Sequence, residues 1–206
     1  MDANCIPDIV VSRLPRYLQA LQQMQESGKQ STSSQELGES IGISAAQIRK
    51  DLSHFGEFGK QGTGYSIPYL VDQLQTILKV KQVWEIALIG AGDLGHAIAR
   101  YQGFANRGFH IAMLFDNDSR KIGKKIGEFT VQNTADLIPI IQKSGLKVAM
   151  LTVPASEAQK VADNLVRAGV TAMLSYAPIP LNLPKEIYVQ YIDPIIQLQH
   201  MTYYIG

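Results

Sequence analysis

Trp84-Glu85-Ile86-Ala87-Leu88-Ile89-Gly90-Ala91-Gly92-Asp93-Leu94-Gly95-His96-Ala97-Ile98-Ala99-Arg100-Tyr101 reads as an apolar strand, a glycine turn and a helix. In this context each glycine has a task. Gly90 permits the tight turn, Gly92 lets backbone N–H groups approach a pyrophosphate at the helix N-terminus, and Gly95 allows helix and strand to pack closely. Ala91, Asp93 and Leu94 complete the loop. A second strand, Ile111-Ala112-Met113-Leu114-Phe115, ends in Asp116, about twenty residues beyond the motif, where an acid accepts hydrogen bonds from the adenosine ribose hydroxyls. An acid there favours NAD(H) over NADP(H), because a 2′-phosphate meets like charge. Arg120 and Lys121 lie close enough to weaken that preference, and Lys121 is counted among the cofactor-contacting residues.

The chain beyond the motif continues the alternation of helix and strand. Thr134 to Ser144 suits a helix, Lys147 to Val153 a buried strand ending at Pro154, and Ser156 to Ala168 a helix with Val161, Leu165 and Ala168 inward. Strand Thr171 to Ser175 leads to Tyr176-Ala177-Pro178. This pattern predicts a Rossmann-type parallel α/β domain over residues 83–192. Ligands of such sheets bind beyond the strand C-termini, so Val153, Pro154, Ser175 and Ala177 are expected to line the nicotinamide side.

The 206 residues are 46% hydrophobic, enough for a real core in one large domain or two small ones. No apolar run approaches the ~20 residues that span a bilayer, and the start lacks a basic segment followed by an apolar one, so a cytoplasmic location without a membrane partner is expected. A single cysteine, Cys5, excludes an internal disulfide framework and a metal cluster built on several thiolates. No metal site is expected. Net charge is +1, a balance that leaves room for a local basic face offset elsewhere.

Residues 1–82 read differently, as helices broken by Gly and Ser. Val10 to Glu26 carries Leu14, Leu18, Leu21 and Met24 near helical spacing and stops at Gly28. Ser33 with Glu36, and Ser44 with Gln47, are capping boxes that open a second and a third helix, joined by Ile41-Gly42-Ile43. Two short capped helices around a glycine turn mark a helix-turn-helix. In the third helix Ile48, Leu52 and Phe55 face inward, leaving Ala46, Arg49, Lys50 and Ser53 outward as a recognition helix requires. The following Gly56 to Tyr65 has the glycine density of a hairpin, with Lys60 at or near its tip, which makes a winged helix. Ser44, Ala46, Arg49, Lys50, Ser53, His54, Lys60 and Gln61 form the expected contact set for double-stranded DNA. Pro68 sits in the first turn of a helix from Tyr69 to Val80.

The strings Ser12-Arg13-Leu14-Pro15-Arg16-Tyr17-Leu18, Gln47-Ile48-Arg49-Lys50-Asp51-Leu52-Ser53, Phe55-Gly56-Glu57-Phe58-Gly59-Lys60 and Gly62-Thr63-Gly64-Tyr65 resemble the Rex family of bacterial redox-sensing repressors. Gly90 to Gly95, Phe115-Asp116, Leu151 to Pro154 and Ala177-Pro178 match in the same order, so the resemblance covers nearly the whole chain. It implies a homodimer that binds an inverted-repeat operator and leaves it when NADH binds, with NAD+ as the competing oxidised ligand. By the same resemblance Tyr101 and Phe104 lie near the nicotinamide. Asp193 matches an acid that bonds the Tyr101 position when NADH is bound. Relatives often carry an arginine at the position of Gln19 as that acid's alternative partner, a place that Arg16 is expected to take here. Tyr101, Asp193 and Arg16 are thus the implied switch residues.

After Asp193-Pro194 the chain continues with Ile195, Ile196, Leu198, Met201, Tyr203, Tyr204 and Ile205, apolar on more than one face. Such a terminus either packs on its own sheet or takes a partner. In the family it is similar to a swapped helix, so residues 193–206 are set apart as a dimerisation segment. The rival class is an enzyme, a small NAD-dependent dehydrogenase or a CoA-binding domain. A dehydrogenase needs an acid or base beside the nicotinamide. His54, His96, His110 and His200 read as structural or surface residues, and no catalytic residue is assigned.

Overall fold

In the computed structural model residues 6–60 and 64–205 are described. The chain divides into two compact units, Met1–Gln82 and Val83–Gly206.

The first unit begins with α1 (Asp8–Val11) and α2 (Leu14–Glu26). The periodicity alone suggests one helix from Val10, but Pro15 falls in the first turn of α2 and has no N–H to continue a preceding helix, so the chain breaks before it. Then come β1 (Ser31–Thr32), α3 (Ser34–Ile41), α4 (Ala45–Ser53), β2 (Gly59–Lys60), β3 (Gly64–Ser66) and α5 (Ile67–Ile77). Both capping serines do their work: the Ser33 hydroxyl accepts from the Glu36 N–H at 3.0 Å and the Ser44 hydroxyl from the Gln47 N–H at 3.3 Å. Between α3 and α4, Gly42 adopts a left-handed φ of 72°, and a Cβ on Gly38 would stand 2.2 Å from the Ile43 carbonyl oxygen. The turn therefore requires glycine twice. Strands β1, β3 and β2 form a small antiparallel sheet in that order, the wing, in which Lys60 pairs with Gly64. Leu14, Tyr17, Leu21, Leu37, Ile48 and Leu74 are among the fully enclosed side chains of its core.

The second unit holds β4 (Trp84–Ile89), α6 (Asp93–Arg100), β5 (Phe109–Asp116), β6 (Lys125–Ile126), β7 (Phe129–Asn133), α7 (Leu137–Ser144), β8 (Val148–Leu151), α8 (Ala155–Arg167), β9 (Ala172–Ser175), β10 (Tyr188–Tyr191) and α9 (Pro194–Thr202). The sheet order is β10-β9-β8-β4-β5-β7-β6, parallel throughout except for β6, which returns antiparallel beside β7. Ranked along the chain, the parallel strands run third, second, first, fourth, fifth, sixth. That is the dinucleotide-binding order, with its reversal point between β4 and β8. One buried cluster (Ala87, Ile89, Phe115, Leu137, Leu151, Leu165) packs one sheet face and a second (Ile86, Leu88, Ile98, Leu114, Val131, Met150) the other, because successive strand residues alternate.

Helix α9 buries none of its residues: Ile195, Ile196, Leu198 and Met201 are each more than half exposed. Of the two expectations for this segment, packing on its own sheet is not what the chain does.

Candidate functional site

The cleft of the second unit opens at the reversal point, beyond the C-terminal ends of β4, β5 and β8. Its volume is about 680 Å³, within the range of small-molecule sites. The three glycines of the loop are needed for different reasons. Gly90 has a φ of 104°, and a Cβ there would lie 2.6 Å from the Thr152 carbonyl oxygen. A Cβ on Gly95 would lie 1.8 Å from the Gly90 carbonyl oxygen. Gly92 has extended backbone that any residue adopts (φ −74°, ψ −170°), and a Cβ on it would meet nothing within 4 Å. The protein itself therefore makes no demand for glycine at 92. That position is the one from which a pyrophosphate would be approached at the N-terminus of α6, so the loop fits a dinucleotide.

Thr152, not among the expected cofactor contacts, clamps the loop: its hydroxyl donates to the Gly90 carbonyl oxygen at 2.8 Å, with the Ile89 carbonyl oxygen at 3.1 Å sharing the same proton. A polar residue closing the apolar run Val148 to Leu151 is the signal that could have drawn attention to it.

Asp116, at the end of β5, is 6% exposed. Its Oδ2 accepts from the Ala91 N–H at 2.7 Å and from Lys121 Nζ at 3.2 Å, and its Oδ1 from the Asp118 N–H at 2.8 Å. Burial works against its charge, but the backbone donors of Asp118 and Ala91, with Lys121, outweigh it and hold the pKa below the usual carboxylate value. The neighbouring Asp118 is held down to about 2, chiefly by side-chain hydrogen bonds from Arg120. Arg120 and Lys121, the two cations that stood against an NAD(H) preference, are thus each engaged by a carboxylate.

Gly90, Gly92, Asp93, Leu94, Asp116, Lys121, Val153 and Pro154 are brought together around this cleft, with Ala91 buried beside them. Ser175 and Ala177 are not. Both are buried, the Ser175 hydroxyl lying 3.3 Å from the Ala177 N–H and accepting from it, and Tyr176 between them faces the cleft instead. Ser175 is the last residue of β9 and fully buried, and alternation along the strand presents its neighbour Tyr176 to the cleft. Tyr101 and Phe104 also stand apart from the cleft. Their rings meet edge to face at 5.3 Å beside Arg100 and Phe129 in a separate hollow. Asp193 caps α9, its Oδ1 accepting from the Ile195 N–H at 2.9 Å, and Arg16 lies exposed on α2.

In the first unit, Ser44, Ala46, Arg49, Lys50, Ser53 and His54 are all exposed on or beside α4, while Ile48 and Leu52 are buried. Arg49 donates to the Ser34 hydroxyl at 2.8 Å, at the start of α3. Lys60 ends β2, and Gln61 lies outside the described residues. One residue of α4 was missed: Asp51, an acid with no exposed surface, surrounded by Arg13, Tyr17 and Gln47. Among the described residues no group of three His, Cys, Asp or Glu side chains is gathered as a metal centre would need. No helix there is long and apolar enough to cross a membrane.

A winged helix-turn-helix and a dinucleotide-type cleft in one chain define a ligand-responsive DNA-binding regulator. Residues 5–53 match the family described as "Putative DNA-binding protein N-terminus", and residues 81–179 the one described as "CoA binding domain". The chain is 53% identical over 200 residues to the redox-sensing transcriptional repressor Rex of Chloroflexus aurantiacus, covering 97% of this chain and 94% of that one. It is similar to the crystal structure of RSP in complex with β-NAD+ and operator DNA, with a TM-score of 0.92 and 35% identity over 98% of this chain and 93% of that one. The structure of RSP with β-NADH matches with a TM-score of 0.89 and 33% identity, over 97% and 94%. The chain belongs to the Rex family of redox-sensing transcriptional repressors. The family consists of repressors rather than enzymes.

Proposed function

We propose that this chain is an NAD(H)-responsive repressor that binds an inverted-repeat operator as a homodimer and is released by NADH. The observation that carries the ligand reading is Gly92, a glycine that neither its backbone conformation nor its protein neighbours require. Family membership, and relatives described with β-NAD+, operator DNA and β-NADH, support the same ligands here.

The loop N–H groups at the start of α6 would hold the pyrophosphate, Asp116 the adenosine ribose, and Val153, Pro154 and Tyr176 would flank the cleft. Both nearby cations already face carboxylates, so a 2′-phosphate gains little from them, which supports NAD(H) over NADP(H). The oxidised nicotinamide ring is a cation, and moving it out of water sacrifices more hydration than moving the neutral dihydro ring. NADH therefore binds the more tightly. In the DNA-bound dimer, Arg49, Lys50, Ser53 and their neighbours on α4 enter the major groove, with the wing residues Lys60 and Gln61 beside it.

The exposed apolar face of α9 supports a homodimer in which that helix finds its cover on a second copy. Tyr101, Asp193 and Arg16 are the residues to which the two states would offer different partners. Ligand acts by stabilising the arrangement in which two recognition helices no longer match successive major grooves. Gel-shift titration of promoter DNA, with NADH and NAD+ varied separately, tests this reading. NADH should release DNA at lower concentration than NAD+, and equal potency or no release would contradict it.

A further inference from the structure

The inside of the recognition helix carries a feature that DNA contact does not explain. Asp51 sits on the face of α4 that holds Ile48 and Leu52 and has no exposed surface. Its Oδ2 accepts from Arg13 Nε at 2.6 Å and Tyr17 Oη at 2.6 Å, and its Oδ1 from Arg13 Nη2 at 2.7 Å and Gln47 Nε2 at 2.6 Å. A carboxylate has about four lone-pair sites, and these donors fill them. Arg13 is the N-cap residue of α2 and Tyr17 lies one turn further on in that helix, so the carboxylate ties the start of α2 to α4.

A buried ion pair is a poor means to stability, because desolvation offsets most of its attraction and a well-packed apolar side chain would serve as well. What the planar, two-pronged guanidinium does provide is a fixed angle and register between the two groups it joins. We propose that Arg13, Tyr17 and Asp51 are positioning residues for operator recognition: they set the rotation of α4 on α2, and so the direction in which Arg49, Lys50 and Ser53 project. This rests on the reading of α4 as the helix that enters DNA. Arg13 touches no base or phosphate in this account, although it is a cation near the DNA-facing helix.

The test uses the full chain and two gentle variants, because Asp51→Asn sets an amide donor among four donors and can fail to fold. Arg13→Lys keeps the charge but loses the fork, and Tyr17→Phe removes one hydroxyl. The probes are an inverted-repeat duplex selected from random DNA by the wild-type chain and a scrambled duplex of equal length. Both are titrated at several salt concentrations, at a temperature where circular dichroism shows each variant folded.

Arg13→Lys, which loses the two-pronged fork, should weaken binding to the selected duplex about tenfold, and Tyr17→Phe, which leaves the fork in place, about threefold. Scrambled-duplex affinity, NADH affinity and the salt slope should stay as in the wild type. A network that only stabilises the fold would leave the ratio of selected to scrambled affinity unchanged, and that result overturns the proposal. So does a Tyr17→Phe variant that binds the selected duplex as the wild type does. Applied to Arg13→Ala, a salt slope reduced by about one unit would make Arg13 a phosphate contact and overturn it as well. Amide hydrogen exchange separates this failure from failure of the DNA reading. Exchange from Ile48 to Ser53 should quicken in Arg13→Lys while that of α5 does not. If the wild-type chain selects no sequence, yet Arg13→Lys shows this change, the DNA reading fails and the tie between the helices stands.

Discussion

Among the described residues each unit of the molecule buries one aspartate, and the two are built in opposite ways. Asp51 is closed on every side: Arg13, Tyr17 and Gln47 use all its acceptor capacity, and nothing from outside can reach it. Asp116 lines an open cleft, and its partners are two backbone N–H groups and a lysine at 3.2 Å, 37% exposed, that can move away. Both carboxylates are held below their ordinary pKa despite burial. Charge alone therefore does not tell a structural acid from a ligand-facing one. The difference lies in whether the partners are rigid and complete or exchangeable and facing a cavity.

The largest effect should come from breaking the closed site. Asp51→Ala leaves Arg13, largely buried, without its counter-charge, and should cost the first unit about 3 kcal/mol, read by urea unfolding followed by circular dichroism. NADH affinity of the folded chain should not change. An unfolding free energy within about 0.5 kcal/mol of wild type would mean that the network carries little of the fold.

The loop glycines sharpen the contrast within the open site. Gly95→Ala drives a Cβ into the Gly90 carbonyl and should destabilise the second unit by about 2 kcal/mol or more. Gly92→Ala should fold as wild type but bind NADH about tenfold more weakly, a loss of ~1.4 kcal/mol read by calorimetry. Similar stability losses for both would remove the argument that Gly92 is kept for a ligand.

Asp116→Ala should lower NADH affinity by about 1.5 kcal/mol, the low end for a charged hydrogen bond, and leave operator binding intact. Lys50→Ala should do the reverse, weakening DNA by about 1 kcal/mol and reducing the salt slope by about one unit. Equal damage to both activities by both variants would refute the division of labour between the units.

The smallest effect concerns pH. Each acid's folded pKa lies below its unfolded value near 3.9, so the stability it contributes is present above that value and is lost as pH falls through the folded pKa. Unfolding free energy should be insensitive to these groups between about pH 5 and 8 and decline only below about pH 4. A transition near pH 6 that Asp51→Ala or Asp116→Ala abolished would contradict these assignments.

These two acids also mark how far the sequence could be read. Asp116 was legible because the distance from glycine loop to strand end is set by the length of a strand-turn-helix-strand unit. The caps at Ser33 and Ser44 were legible because capping is a local exchange between a hydroxyl and an N–H three residues on. Asp51 was not, since its reason for being buried lies at the N-terminal cap of α2, 38 residues away at Arg13. Strand β10 carries Tyr188 and Tyr191 exposed on a sheet edge, without the alternation that announces a strand. At the end of β9, Ser175 and Tyr176 differ by one position, and parity at a strand end depends on a register that propensity does not supply.

If NADH in the cleft and DNA on α4 are coupled through one dimer, the coupling is reciprocal. The most direct measurement is therefore the NADH dissociation constant of the wild-type chain with and without a saturating, selected operator duplex. The operator should weaken NADH binding by the same factor by which NADH weakens operator binding. An unchanged NADH dissociation constant would contradict it and leave two independent binding functions on one chain.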